Sequence, residues 1–274
     1  MRIALVYTKR TWEIERIEEE MRRGGVEIER YYPSEFSLKI EEGEMKVLPE
    51  IQADAIYFRG PGKGSWEETT IRMNIFKVIN QSIPVVNSPE SIEKCTDKME
   101  ATIRLFLSGI PVPETFIVQK EDITEEFLKK YKKVIRKPLF GSKGEGIEMI
   151  KRGGTGYLQK YIEHGGRDIR TFVVGDEVLG AVCRVRKGSL VTNVARGGRT
   201  EVCELDEELR DLSILSARAL GAEICGVDIV ESKEGRYVIE VNSSPSWKGF
   251  QSATKINVAS KIVEYFLRGC PEHK

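Results

Sequence analysis

The stretch from Val227 to Val241 constrains this chain most. Its two flanks alternate in character around the turn-forming segment Ser232-Lys233-Glu234-Gly235-Arg236, which makes a β-hairpin of Val227 to Glu231 against Tyr237 to Val241. Val227, Ile229, Val238 and Val241 give it an apolar face. If the hairpin centres near Glu234, Asp228 stands opposite Glu240, and Asn242 shares their side. Two facing carboxylates repel, and a divalent cation reverses that sign. Magnesium is the expected ion, because it takes hard oxygen ligands and shares them with nucleotide phosphates; manganese accepts the same donors. A solvated face with incidental acids is the competing reading, and a one-residue slip in register would separate the pair.

The 43 basic and 43 acidic side chains of the 274 residues cancel, so no global field favours a polynucleotide or a membrane surface. Local basic clusters are therefore read as sites for small anions. The longest apolar runs are strand-sized and no signal-peptide pattern follows Met1, which makes the cytoplasm the expected location. Five cysteines without a CxxC pair, and only two histidines, support neither a disulfide framework nor a zinc site. A homo-oligomer is compatible with the composition.

Three units are expected. Residues 1–90 alternate strands (Ile3 to Tyr7, Val26 to Tyr31, Ala55 to Phe58, Pro84 to Val86) with helices (Glu13 to Arg23, Ile71 to Val78), and a loop surrounds Gly43. This is an α/β pattern with parallel strands. Residues 91–165 hold two helices, an extended Thr115 to Val118, a helix from Thr124 to Tyr131 and the strand Val134 to Lys137. Residues 166–274 turn antiparallel and α+β, with a first hairpin about Gly175-Asp176-Glu177, the metal-bearing hairpin, and a last helix containing Ile256 to Phe266.

After the strand Val134 to Lys137 comes Pro138-Leu139-Phe140-Gly141-Ser142-Lys143-Gly144-Glu145-Gly146. Gly141, Gly144 and Gly146 let backbone N–H groups approach phosphate oxygens, and Lys137 and Ser142 offer further donors. The segment matches neither GxGxxG nor the P-loop pattern, and a plain surface turn would also explain its glycines. Lys98, alone, reads as a solvated helix lysine. If the first hairpin centres on Asp176, Arg184 faces Asp168 and lies near Arg170. Both arginines could then reach a transferring phosphoryl group, with Asp168 orienting them; a surface ion-pair ladder is the other reading. Asn193, Arg196 and Gly197 form a polar patch suited to a carboxylate. Ser244, Trp247 and Lys248 follow the metal hairpin in a loop whose hydroxyl and ammonium groups suit an anionic substrate.

Together, Asp97-Lys98, Lys137 to Gly146, Gln159-Lys160-Tyr161-Ile162, Asp168-Ile169-Arg170, Thr192 to Gly198, Asp228 and Glu240-Val241-Asn242-Ser243-Ser244-Pro245 resemble, in family order, the RimK-like branch of ATP-grasp carboxylate-amine ligases. The resemblance implies an ATP-grasp fold preceded by an α/β domain. It implies that Lys98 and Lys137 contact the phosphates of ATP, that Gln159 to Ile162 line an adenine pocket, and that Glu163 or Asp168 reaches the ribose. Arg170, Arg184 and Asn193 would serve phosphate or acceptor binding, and Asp228, Glu240 and Asn242 would hold magnesium. The implied reaction joins a carboxylate-containing acceptor to an amino-acid donor through an acylphosphate. The narrow expectation is addition of glutamate to a coenzyme tail, with Trp247 stacked on a pterin or related ring. Glutamylation of a ribosomal protein is the alternative, and a nucleotide-binding regulatory protein without activity is another.

Overall fold

The structure is a computed structural model, and it describes residues 1–120, 124–141, 145–185 and 199–269. The first unit runs β1 (Arg2–Val6), α1 (Trp12–Arg23), β2 (Glu27–Tyr31), β3 (Ser37–Glu41), β4 (Glu44–Leu48), β5 (Ala55–Phe58), α2 (Trp66–Ile79) and β6 (Val85–Val86). Its main sheet is parallel, in the order β2-β1-β5-β6. Helix α1 turns Ile14, Ile17 and Met21 onto that sheet, as the 3.6-residue period requires. Helix α2 starts five residues before the expected Ile71. Ser65 accepts from the Glu68 N–H while Glu68 reaches back to the Ser65 N–H, so a capping box sets the true start. The loop expected around Gly43 is instead the β3–β4 hairpin, closed by Glu42 and Gly43 with φ of +53° and +81°. Positive φ at both central residues is what a tight two-residue turn needs.

Helices α3 (Pro89–Thr96) and α4 (Lys98–Leu107) lead to β7 (Thr115–Val118), α5 (Thr124–Lys130), β8 (Val134–Lys137), β9 (Glu148–Ile150) and β10 (Gly156–Lys160). The sheet is antiparallel, in the order β7-β10-β8-β9. The third unit carries β11 (Arg167–Val174), β12 (Glu177–Val185), β13 (Arg199–Cys203), α6 (Glu207–Leu220), β14 (Ile224–Ser232), β15 (Gly235–Asn242), α7 (Lys248–Thr254) and α8 (Val258–Leu267). Its five strands, in the order β13-β12-β11-β14-β15, are all antiparallel. The expected last helix is α8, while α7 forms in part of the segment expected as a loop and ends at Lys255, whose φ is +63°.

Packing ignores chain order. Ile262 and Phe266 of α8, with Trp247 and Phe250, share one buried cluster with Ile3, Leu5, Ile14 and Met21 of the first unit. Cys95, Ala101 and Leu105 of α3 and α4 pack instead with α6 on the third sheet. Asn87, just after β6, is buried and stitches the units together. Its Nδ2 donates to the Ile224 and Ser243 carbonyls at 2.7 Å each, and its Oδ1 accepts from the Glu223 and Ile224 N–H groups at 2.8 Å. These four bonds use both protons and both oxygen lone pairs of the amide side chain. Among the described residues no helix is long and apolar enough to cross a membrane.

Candidate active site

Two hairpins bring the acids and arginines together, each by the same device. β14 and β15 meet in a two-residue turn, Ser232 opposite Gly235, one residue tighter than the sequence suggests. Ile239 is then an extra residue between the pairs Ile229–Val238 and Asp228–Glu240, and this bulge restores Asp228 to a position opposite Glu240. β11 and β12 likewise turn at Gly175-Asp176, and a shift at Leu179 restores Asp168 to a position opposite Arg184. Because a bulge turns two successive side chains toward one side, Ile239 and Glu240 both face the same cleft.

That cleft lies between the central sheet and the third sheet. It is lined by Lys98, Lys137, Gly141, Gln159, Lys160, Tyr161, Ile162, Asp168, Arg184, Asp228 and Glu240, among others. At its floor Asp228 accepts from Arg170 Nε and Nη2 at 2.6 Å each and pairs with Arg184 at 2.9 Å. Arg184 in turn donates to both oxygens of Asp168 at 2.7 and 2.6 Å. Burial pushes the Asp228 carboxyl up, but the two guanidinium groups more than offset it and hold the group below its ordinary range. Burial opposes the charge on Arg184, yet Asp228 and Asp168 raise its pKa above the usual arginine value. Two arginines and two aspartates thus form a buried, charge-balanced cluster, not a surface ladder.

Lys137 ends β8 and is buried, with its side chain on the cleft wall. Its Nζ donates to Gln159 Oε1 at 2.6 Å, and Gln159 is itself held by Thr115 and Tyr157. Burial is the chief cause that pushes the Lys137 ammonium down to about 8, with Lys98 adding repulsion while Glu240 and Asp228 oppose the fall. Gln159 therefore positions Lys137 in addition to lining the cleft. Asp97 caps α4 by accepting from the Met99 and Glu100 N–H groups, which sets Lys98 as the first helical residue. Lys98 Nζ then reaches the Gly141 carbonyl at 2.9 Å. The glycine-rich segment folds back on Pro138: a Cβ at Gly141 or at Gly146 would sit 3.3 Å from the proline ring, and Gly146 has φ of +73°. Gly146 is favoured by its backbone conformation and by the tight approach, Gly141 by the approach alone.

The expected metal donors are present in part. Glu240 and Asn242 lie two apart on β15, and Asn242 Oδ1 accepts from the Ser244 N–H at 2.9 Å. Asp228 is committed to guanidinium groups, and among the described residues no three Asp, Glu, His or Cys side chains cluster as a metal cage. The oxygen donors suit a hard cation that completes its shell from phosphates and water. Asp228 takes one of its guanidinium bonds on Oδ1 and two on Oδ2, which leaves a lone pair on Oδ1 for a cation.

Other expected residues fall elsewhere. Trp247 is fully buried, edge-on to Phe172 with ring centroids 5.9 Å apart, so no substrate ring can stack on it. The short loop after β15 turns the indole into the core that α7 and α8 close. Ser244 donates to the Arg59 carbonyl, and Lys248 lies exposed over the Trp12 ring. Glu163 pairs with Lys133 at 2.6 Å on the surface and does not line the cleft. Lys160 lines it, but its ammonium is held by Glu234 and Glu114. Ser142, Gly144, Asn193, Arg196 and Gly197 lie outside the described residues. Sequence reasoning missed Arg59, which directly follows β5, lies over Trp247 and donates to the Ser244 and Pro245 carbonyls. The one available signal was an arginine at the carboxyl end of a parallel strand, where open α/β sheets bind ligands.

A family model for the RimK-like ATP-grasp domain matches residues 95–266. The tetrahydromethanopterin:alpha-L-glutamate ligase of Methanocaldococcus jannaschii is 34% identical over 239 residues, covering 79% of this chain and 80% of the relative. The ligase of the same name from Methanosarcina acetivorans is 33% identical over 256 residues, covering 77% and 79%. The ATP-grasp ligase PsnB, solved with a minimal precursor, Mg and ADP, superposes with a TM-score of 0.76 over 97% of both chains at 18% identity, which bears on the fold alone. With its three main sheets and the match across most of the length of curated relatives, the chain belongs to the RimK-like ATP-grasp family of carboxylate-amine ligases.

Proposed function

We propose that this ligase adds glutamate to a carboxylate on a pterin-type coenzyme, with ATP as the energy source and magnesium as the cofactor. The observation that carries the reading is the convergence of Lys98, Lys137, Arg184 and Glu240 on one cleft, in a chain a third identical to ligases named for tetrahydromethanopterin. Lys98 and Lys137 neutralise the phosphates of ATP, and Gln159 to Ile162 bind the base. Arg170 and Arg184 orient the acceptor carboxylate and take up charge as its oxygen attacks the γ-phosphorus and the bond to ADP breaks. The donor amine then attacks the acyl carbon of the acylphosphate, forming the amide and releasing phosphate. Glu240 and Asn242, with Asp228, would hold magnesium, which would supply neutralisation of phosphate charge. The two sheets that wall the cleft keep water from the acylphosphate.

The test is incubation with ATP, magnesium, glutamate and tetrahydromethanopterin, read by product mass and by release of ADP and phosphate. A mass gain of one or more glutamyl groups supports the reading. Glutamylation of a ribosomal protein or of an acidic peptide, with none of the coenzyme, would replace the acceptor.

A further inference from the structure

Trp66 and Phe140 are large aromatic side chains left in solvent, 78% and 56% exposed, yet their rings meet across two units with centroids 6.5 Å apart at 60°. Neither is loose. Trp66 is the first residue of α2, fixed by the Ser65–Glu68 capping box, and Arg72 holds the preceding loop through the Pro61 and Lys63 carbonyls at 3.1 and 3.0 Å. Phe140 is bracketed by Lys98, which donates its backbone N–H to the Leu139 carbonyl and its ammonium to the Gly141 carbonyl. Pro138 and Gly141, on either side of Phe140, line the ligase cleft. Two anchored rings from separate units therefore meet beside residues that line the cleft, and the exposed Lys63 adds positive charge nearby. An indole at the start of a helix gains nothing from exposure, whereas a flat ligand laid on it would bury one of its faces and meet the inclined Phe140 ring at its edge.

We propose that Trp66 and Phe140 form the platform that selects the acceptor, a small acid bearing a planar nitrogen heterocycle, with its carboxylate directed into the cleft. This rests on the pterin-type reading above and assigns the ring-recognising role to residues other than the buried Trp247. Both are specificity-determining residues, remote from the reacting atoms.

The experiment compares the wild type with Trp66→Ala, Trp66→Phe and Phe140→Ala, varying tetrahydromethanopterin and ATP separately. Trp66→Ala should raise KM for the coenzyme about tenfold, the scale of stacking a heterocycle on an aromatic side chain, with KM for ATP unchanged, and Phe140→Ala should raise the coenzyme KM on the same scale. Trp66→Phe should recover much of the loss. Coenzyme binding should quench indole emission in the wild type and far less in Trp66→Phe, because of the other two tryptophans Trp247 lies in the core and Trp12 packs against Lys248. An unchanged coenzyme KM in an active Trp66→Ala would overturn the platform and leave the ligase assignment intact. Equal rises in KM for ATP and coenzyme would also overturn it, making the pair a contact of the nucleotide loop. A wild type that modifies only a peptide would remove the pterin-type reading and the platform with it.

Discussion

Lys137 shows how a single residue can trade stability for chemistry. Its folded pKa of about 8 lies below the ordinary 10.5, so the native state holds fewer protons than the unfolded chain between those values. Stability of the ligand-free protein therefore rises with pH across that window and carries the penalty of a buried charge below it. Lys137→Met should remove this penalty, raising stability near pH 7 by up to about 3 kcal/mol in denaturant unfolding while abolishing turnover. In the wild type, kcat/KM for ATP should fall as pH rises through about 8, as the ammonium needed for phosphate is lost; a profile flat to pH 10 would exclude that role. Glu240→Gln should lower magnesium-dependent turnover at least about a hundredfold with the thermal midpoint nearly unchanged, since the carboxylate faces the cleft. Asp228→Asn differs, because it leaves Arg170 and Arg184 without their shared buried counter-charge. It should cost about 3 kcal/mol in addition to activity, measured by denaturant unfolding.

At the scale of elements, most strands and helices could be read from the sequence because period and caps agree. β5, β7 and β8 have the bounds expected from their apolar runs. What escaped were the short strands β9 and β13, the β3–β4 hairpin, and the bulges. β9 spans only three residues and β13 faces solvent along much of its length, so neither carries an apolar pattern. The bulge at Ile239 did leave a trace. Val238 and Val241 are both buried but three residues apart, which breaks the period of two and marks one inserted residue. The expected opposition of Asp228 and Glu240 came from a turn one residue too long that compensated for a bulge unseen. Deleting Ile239 should therefore remove the bulge while leaving Glu240 opposite Asp228. The deleted variant should retain both its strand signal in far-UV circular dichroism and its magnesium-dependent turnover.

For the whole molecule, sequence order suggests three consecutive units, while the cores cross those boundaries. Long-range packing of this kind leaves no local mark, because α8 is as amphipathic against the first sheet as it would be against its own. Asn87→Leu would orphan the four backbone groups that its amide satisfies and should cost roughly 3 kcal/mol or more, read as a lowered unfolding midpoint. The first and third sheets should also unfold together, giving coincident transitions by indole emission and by circular dichroism.

Helix α8 has a consequence for biosynthesis. Phe266 and Ile262 seal the apolar surface of strands translated more than two hundred residues earlier. As the ribosome works through the middle of the message, β1 and α1 are already outside the exit tunnel with part of their greasy face bare. The nascent chain must be shielded until its last helix arrives, so ribosome stalling before Val258 should yield arrested chains that bind a chaperone and are readily cut by protease.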